Sequence, residues 1–297
     1  VTQRSYSIHG QNFVAPPLPG GLYVVSTPIG HLADITIRAL ETLAAATVVL
    51  AEDTRTTGVL LRHYAIRTAA TAYTEHNAER REAALIERLA AGEALALVSD
   101  AGTPLLSDPG QRLVSAAIAA GLPVVPIPGP SALLAAMVGA GVAGEGLRFV
   151  GFLPQKTDER RRRLHDLRND AAPLVIYEAP HRLAAMLADA AAILGPRQGV
   201  VARELTKRHE TFARGTLADL AALYGEREEP RGEIVVVIAP APSEEADDPE
   251  ALDAAIVAAL GEHSVRHAAQ IVAARLGLPK RVVYARALVI AARDGRA

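Results

Sequence analysis

The chain has 297 residues, half of them hydrophobic, with a formal net charge of −2 and no cysteine. This is the composition of a globular protein with a substantial core and room for two or three domains; it excludes disulfides, thiolate metal sites and a cysteine nucleophile. Near-neutral charge gives no global case for nucleic acid or membrane, and no apolar run reaches the ~18 residues of a membrane span. With no signal-peptide pattern at the start, a cytoplasmic protein is expected.

Residues 1–20 are polar and then proline-rich, without a period, and are expected to be a flexible leader. A first domain is expected over 21–145. Its strands are read at Leu22–Val25, Thr47–Ala51, near Ala72–Tyr73, Glu93–Ser99 and Pro123–Ile127. Helices are read at 35–45, 56–64 and 78–91, then to Ala120, and again after Ser131. Strands alternating with helices give a doubly wound α/β sheet. The stretch Leu95–Gly110 is central to it: an apolar run stops at Asp100, and Gly102, Pro104, Pro109 and Gly110 forbid regular structure beyond. Asp108 is placed to cap the next helix and Pro109 to open it. A polar, glycine-bearing loop at the carboxyl end of a buried strand is where open α/β sheets bind ligands. Similar loops follow at Thr27–Gly30 and Pro128–Ala132.

A second α/β domain is expected over 146–240, with strands at 147–152, 174–177, 199–204, 210–215 and 233–239. Residues 241–250 are acidic and proline-bearing and read as a linker. The tail, 251–297, reads as a helical unit with helices at 264–275 and 280–291. Ala273, Gly277 and Val283 have helix-turn-helix spacing. From Glu250 on there are seven Lys/Arg and four Asp/Glu, about +3, so the tail is either a docking module or a grip on phosphates through Lys280 and Arg281. The loops are neither P-loops nor Gly-x-Gly-x-x-Gly turns, no side-chain cluster has metal-ligand spacing, and no metal is expected. Short Gly/Pro loops with few charges suit a neutral or zwitterionic ligand.

Seven motifs then fall in register: Val25–His31 (Val-Ser-Thr-Pro-Ile-Gly-His), Ala51–Arg55 (Ala-Glu-Asp-Thr-Arg), Leu97–Pro104 (Leu-Val-Ser-Asp-Ala-Gly-Thr-Pro), Pro128–Ser131, Gly151–Pro154, Tyr177-Glu178 with His181-Arg182, and Arg203–Lys207. Together they resemble the tetrapyrrole-methylase-like (class III) S-adenosylmethionine-dependent methyltransferases. Within these, the chain is most similar to the bacterial family that methylates a cytidine 2′-hydroxyl of small-subunit ribosomal RNA. The resemblance covers residues 21–240, and the tail resembles the helix-turn-helix segment of that subfamily. The first loop departs from the usual Pro-Thr-Pro-Ile-Gly-Asn, having Ser26 and His31.

The resemblance implies a homodimer of two α/β domains with S-adenosylmethionine in a cleft between them. Cofactor contacts are implied at Pro28, Ile29 and Gly30, at Ser99, Asp100, Ala101, Gly102, Thr103 and Pro104, and at Ser131, Ala132, Tyr177, Ala202, Gly232 and Glu233. Asp100 serves either its loop or the cofactor's amino group; Ile29, Leu205 and Ile234 are candidate walls for the adenine. In-line displacement at the methyl carbon needs alignment and loss of the hydroxyl proton. Candidate bases are Glu178, Glu204 and Lys207. RNA, naked or in the assembled small subunit, needs a basic surface. Lys156 with Arg160, Arg161, Arg162 and Arg163 is expected to clamp phosphates, extended by Arg55, His76, Asn77, Arg182 and Arg208. Two rivals stay open: a same-fold methylase acting on a tetrapyrrole or protein acceptor, and a non-catalytic RNA-binding assembly factor.

Overall fold

The computed structural model describes residues 4–105, 110–226, 228–242, 249–276, 278 and 280–293. The chain divides into two compact units, residues 1–135 and 136–297.

In the first unit, β1 (Ser5–Ile8) and β2 (Gln11–Val14) pair as an antiparallel hairpin. This corrects the expectation of a flexible leader. His9 and Gly10 both take positive φ (49° and 81°), the requirement of a tight hairpin turn whose twist matches its strands. Tyr6 stacks on Phe13 at 5.5 Å and is buried, and the Ser7 amide donates to the Tyr64 carbonyl at 2.7 Å.

The main sheet of this unit is formed by β3 (Gly21–Val25), β4 (Val48–Ala51), β5 (Ala70–Ala72), β6 (Ala94–Val98) and β7 (Val124–Ile127). All are parallel, in the order β5-β4-β6-β3-β7. Every residue of β3, β4 and β6 is buried, as strands covered on both faces require. The helices are α1 (Ile37–Ala45), α2 (Thr54–His63), α3 (Glu75–Ala90) and α4 (Gln111–Ala119). Alternate strand residues sort them onto two faces. Tyr23, Val25, Val49, Ala96 and Val98 pack with Leu40 and Leu43 of α1 and Leu60 and Leu61 of α2. Leu22, Val24, Leu50, Leu95 and Leu97 pack with Leu85 and Leu89 of α3 and Leu113 of α4. The doubly wound arrangement is therefore as expected. The expected cap Asp108 and opener Pro109 lie outside the described residues.

Helix α5 (Ala132–Ala140) crosses the division between the units, upstream of the expected boundary at 145/146. Its carboxyl half belongs with the second sheet for a steric reason. A Cβ added at Gly139 would lie 2.2 Å from the Phe212 ring, and Arg214 donates to the Gly139 carbonyl at 2.5 Å.

The second unit holds β8 (Arg148–Phe152), α6 (Thr157–Asp166), β9 (Leu174–Glu178), α7 (Leu183–Leu194), β10 (Gln198–Arg203), β11 (Thr211–Thr216), α8 (Leu217–Gly225) and β12 (Ile234–Ile238). Its sheet runs β11-β10-β12-β9-β8, parallel only between β8 and β9. Leu174, Ile176, Val201 and Val236 meet Leu183, Met186 and Leu187 of α7 in its core.

The tail forms three helices, α9 (Pro249–Leu260), α10 (Val265–Leu276) and α11 (Lys280–Arg293), around Ile256, Val272, Val283 and Ala287. Helix α9 takes the last two residues of the expected linker, and residues 243–248 lie outside the described residues, as do Gly277 and Pro279 of the expected turn. Among the described residues, no helix is long and apolar enough to cross a membrane.

The Gly139–Phe212 approach gives a first prediction. Gly139→Ala should destabilise by ~1–3 kcal/mol through overpacking. Chemical denaturation should show Gly139→Ala costing much less in a Phe212→Ala background, because the two positions share one space.

Candidate active site

At the carboxyl ends of the parallel strands, β6 lies between β3 and β4. The helices after β3 and β4 cover one face and the helix after β6 covers the other. Neighbouring strands whose connections leave to opposite faces open a crevice at their ends, the usual ligand position in such sheets. Here the crevice is tied across its base. The Thr27 amide donates to the Gly102 carbonyl at 2.8 Å, and the Gly102 amide returns a bond to the Thr27 carbonyl at 3.0 Å. Ser26 Oγ donates to Thr103 Oγ1 at 3.1 Å, which in turn donates to the Pro130 carbonyl at 3.3 Å. The Ser26 amide reaches the Ile127 carbonyl at 3.1 Å. Three loops, after β3, β6 and β7, thus close on one another.

Gly102 makes this possible: its φ is +77°, and an added Cβ would lie 3.3 Å from Ile29 Cγ2. Ile29, Ser99 and Pro104 are buried, Pro28, Thr103, Ser131 and Ala132 half-buried, and Gly30, Asp100 and Ala101 exposed. Ser99 Oγ donates to the Ala101 carbonyl at 3.3 Å. Asp100 Oδ1 accepts the Asp53 amide at 3.0 Å, which joins the loop after β4 to the same group. Asp53 caps α2, and its hydrogen bonds from Arg55 hold its carboxyl down at about 2. Arg55 is therefore an exposed guanidinium already leaning on a carboxylate.

In the second unit, Tyr177 packs edge-on against Phe149 (4.9 Å) and Phe152 (5.8 Å). Glu178, a candidate base, has 0% side-chain exposure. Its Oε1 accepts the Ala179 amide at 2.8 Å and lies 3.2 Å from Arg182 Nε. Burial pushes its carboxyl up against the opposing pull of the Ala179 amide and Arg182. Arg182 donates to the Leu153 and Pro154 carbonyls at 2.5 and 3.2 Å. The pair ties the end of β8 to the end of β9. Ala202, an expected cofactor contact, sits inside the sheet between Phe212 and Val235.

The end of β10 is built differently. Lys207 Nζ donates to Glu204 Oε1 at 2.9 Å and to Glu233 Oε2 at 3.0 Å. The Glu233 amide also donates to Glu204 Oε1 at 3.0 Å, and the Glu204 amide to the Glu233 carbonyl at 2.9 Å. Glu204 and Thr206 hold positive φ (53° and 65°), an uncommon backbone for such residues that concentrates at functional sites. A Cβ on Gly232 would lie 2.3 Å from the Glu204 carboxylate, so the glycine leaves room for it. The Lys207 hydrogen bond holds the Glu204 carboxyl below the ordinary range. Burial pushes the Lys207 ammonium down, but its bonds to Glu204 and Glu233 win and hold it up. Lys207 is thus a cation clasped between two carboxylates.

The arginine run splits. Arg160 is buried and donates twice to Asp189 Oδ2, at 2.8 and 2.6 Å, which corrects its assignment to a phosphate clamp. Arg161 shares Asp189 at 2.8 Å but stays exposed, as do Lys156, Arg162 and Arg163. Burial pushes the Asp189 carboxyl up, yet the Arg161 and Arg160 hydrogen bonds prevail and keep it low. Asn77 is spent as well: its Oδ1 accepts the Thr74 amide at 3.0 Å and its Nδ2 donates to the Ala72 carbonyl at 3.2 Å. His76, Arg208, Lys280 and Arg281 are exposed. The sequence reading missed Asp189, for which a lone acid in the otherwise apolar α7 was the available signal.

Comparison with known proteins adds to this geometry. The family model of Tetrapyrrole (Corrin/Porphyrin) Methylases matches residues 21–221, and that of the RsmI C-terminal HTH domain matches 245–291. The chain is 48% identical to the Ribosomal RNA small subunit methyltransferase I of Mesorhizobium japonicum, over 92% of this chain and 93% of that one. The chain belongs to the ribosomal RNA small subunit methyltransferase I family. A second relative of that name, from Micromonospora olivasterospora, is 44% identical over 93% of this chain and 89% of its own. In fold, the family member is similar to the Thermus thermophilus uroporphyrin-III C-methyltransferase complexed with S-adenosyl homocysteine (TM-score 0.53, 20% identity, 73% of this chain and 97% of that one). It is also similar to the methyltransferase CobJ (TM-score 0.56, 21% identity, 75% and 95%).

The split arginine run is testable. Arg160→Ala should cost ~3–5 kcal/mol, the penalty for breaking a buried pair. Arg162→Ala should leave the melting temperature unchanged, because that side chain stands in water.

Proposed function

We propose that the chain transfers a methyl group from S-adenosylmethionine to the ribose 2′-hydroxyl of a cytidine in small-subunit ribosomal RNA. One observation carries this reading: loops after three parallel strands close on one another at a switch point, in a chain whose relatives bear that enzyme name along nine-tenths of its length. The rival acceptors rest on fold likeness below 25% identity, which carries no substrate.

The loop group fits the cofactor. Ser99–Pro104 and Pro28–Gly30 present mainly backbone, and the missing side chain at Gly102 lets Ile29 and the Pro130 carbonyl approach the loop closely. Carbonyls and amides of these loops, with Ser131 and Ala132, serve a positive sulfonium and a zwitterionic methionine end alike. When bound, S-adenosylmethionine supplies an already activated methyl group. The chain's own task is to align the hydroxyl oxygen and to receive its proton. Glu204, ionised and held by Lys207, is the acceptor, and the Lys207 ammonium keeps the accepting carboxylate in one rotamer. Glu178 acts by fixing, with Arg182, the end of β9 that carries Tyr177. Exposed Arg161, Arg162, Arg163, Lys156 and Arg208 meet phosphates, and shape and backbone carry recognition because the chain has few aromatic residues and no tryptophan. The reading extends to a cytoplasmic homodimer acting on small-subunit ribosomal RNA, naked or in the assembled subunit; Leu134 and Val138 of α5, the latter 85% exposed, support a partner copy.

Three outcomes are expected. Labelled methyl should pass to small subunits lacking the modification and map to one cytidine ribose; transfer to a base or to protein would end the reading. Gly102→Val should weaken S-adenosylmethionine binding by at least ~10-fold in calorimetry, since a left-handed β-branched residue costs ~1–2 kcal/mol before any clash, with RNA affinity unchanged. The third concerns pH. A raised Lys207 contributes stability below the ordinary lysine range and loses it as pH rises through its folded value. A lowered Glu204 contributes above the ordinary glutamate range and loses it as pH falls. The rate should therefore show no limb from either group between about pH 5 and pH 10, whereas a limb in that window removed by Lys207→Arg would restore lysine as the base.

A further inference from the structure

Helix α11 carries two apolar seams. Val283, Ala287, Ile290 and Ala291 point into the three-helix core of the tail and are buried. At 3.6 residues per turn the opposite side of the helix carries Val282, Ala285, Val289 and Ala292, all exposed. Their spacing of three, four and three is that of the a and d positions of a coiled coil. Val282 is 54% exposed, and Leu288, on one shoulder of this seam, is 44% exposed. An exposed seam of this spacing is the shape that packs against another helix.

The shoulders say what covers the outer one. Arg281 flanks the seam on one side, Arg286 and Arg293 on the other, and α11 contains no Asp or Glu. Arg286 is shared with Asp253 of α9, at 2.6 and 2.5 Å. A second copy laid along the seam in either direction sets arginine against arginine, which disfavours self-pairing. Nucleic acid meets Lys280 and Arg281 at the start of the helix, but Val282, Ala285, Val289 and Ala292 offer no group that bonds a base edge or a phosphate. Alanines at two of the four seam positions allow close approach of another helix backbone.

We infer that the outward seam of α11 docks an amphipathic helix of another protein, one with an apolar stripe flanked by Asp or Glu. The tail is then a protein-docking module whose basic residues choose the partner's charge. This goes beyond the methyl-transfer reading and does not depend on it.

The test uses the full chain and two synthetic heptad peptides, both with Leu and Ile at a and d, one with Glu and one with Lys at e and g. By fluorescence anisotropy, the Glu peptide should bind at least tenfold more tightly than the Lys peptide. Val289→Glu, and separately Ala285→Glu, should each weaken the Glu peptide at least tenfold. Both variants should keep wild-type thermal melting and wild-type affinity for a small-subunit ribosomal RNA fragment. Equal binding of the two peptides, or none, overturns the proposal. So does a tenfold loss of RNA affinity in both variants, which would make the seam an RNA face. Self-association in sedimentation that Val289→Glu abolishes would overturn it too, by making the occupant a second copy.

Discussion

The structure depends on a pair of backbone hydrogen bonds between Thr27 and Gly102. They join loops that leave adjacent parallel strands toward opposite faces of the sheet, and such loops otherwise diverge. With the base of the crevice tied, Ser26, Thr103 and Pro130 fall into a chain of hydrogen bonds that brings in the loop after β7. Asp100 brings in the loop after β4 through the Asp53 amide. The result is a rim made largely of backbone whose position is set by the sheet beneath it. A rim of that kind suits a ligand that carries both signs of charge in a small volume.

Charge in the second unit is used in two ways. Arg160 with Asp189, and Arg182 with Glu178, are withdrawn from water and hold elements together. Lys207, Glu204 and Glu233 stay at the surface, on a loop whose backbone takes uncommon angles. A buried pair gains little net stability for the fold but makes one arrangement much better than its alternatives. A half-exposed cluster keeps its charges usable. This contrast, more than the number of charges, separates charges that hold the fold together from charges left within reach of solvent.

The main sheet was legible because buried parallel strands read as short apolar runs and their loops as Gly/Pro breaks. The loops proposed to hold the cofactor were legible as loops for the same reason, since the residues that stop a strand there also form the rim. The hairpin at residues 5–14 was not, because its alternation is weak and the turn rests on His9 adopting a left-handed backbone. The fates of Arg160 and Arg162 could not be told apart from sequence: both belong to one run, and only the phase of α6 against Asp189, far along the chain, decides which is buried. Asn77 looked like a free polar group because capping is a matter of angle as well as residue type. The division of the chain inside α5 was hidden for a related reason, resting on an aromatic ring at Phe212 pressed against Gly139.

The vacancy at Gly232 links two positions nearly thirty residues apart in the chain. The Glu204 carboxylate fills the volume that any side chain at 232 would claim. Drift at either position is therefore conditional on the other: a larger residue at 232 becomes acceptable only once 204 has shortened, and by then the lysine clasp has gone. Such a lineage would keep its sheet while losing the Glu204–Lys207–Glu233 cluster, so the residue types at 204 and 232 should vary together.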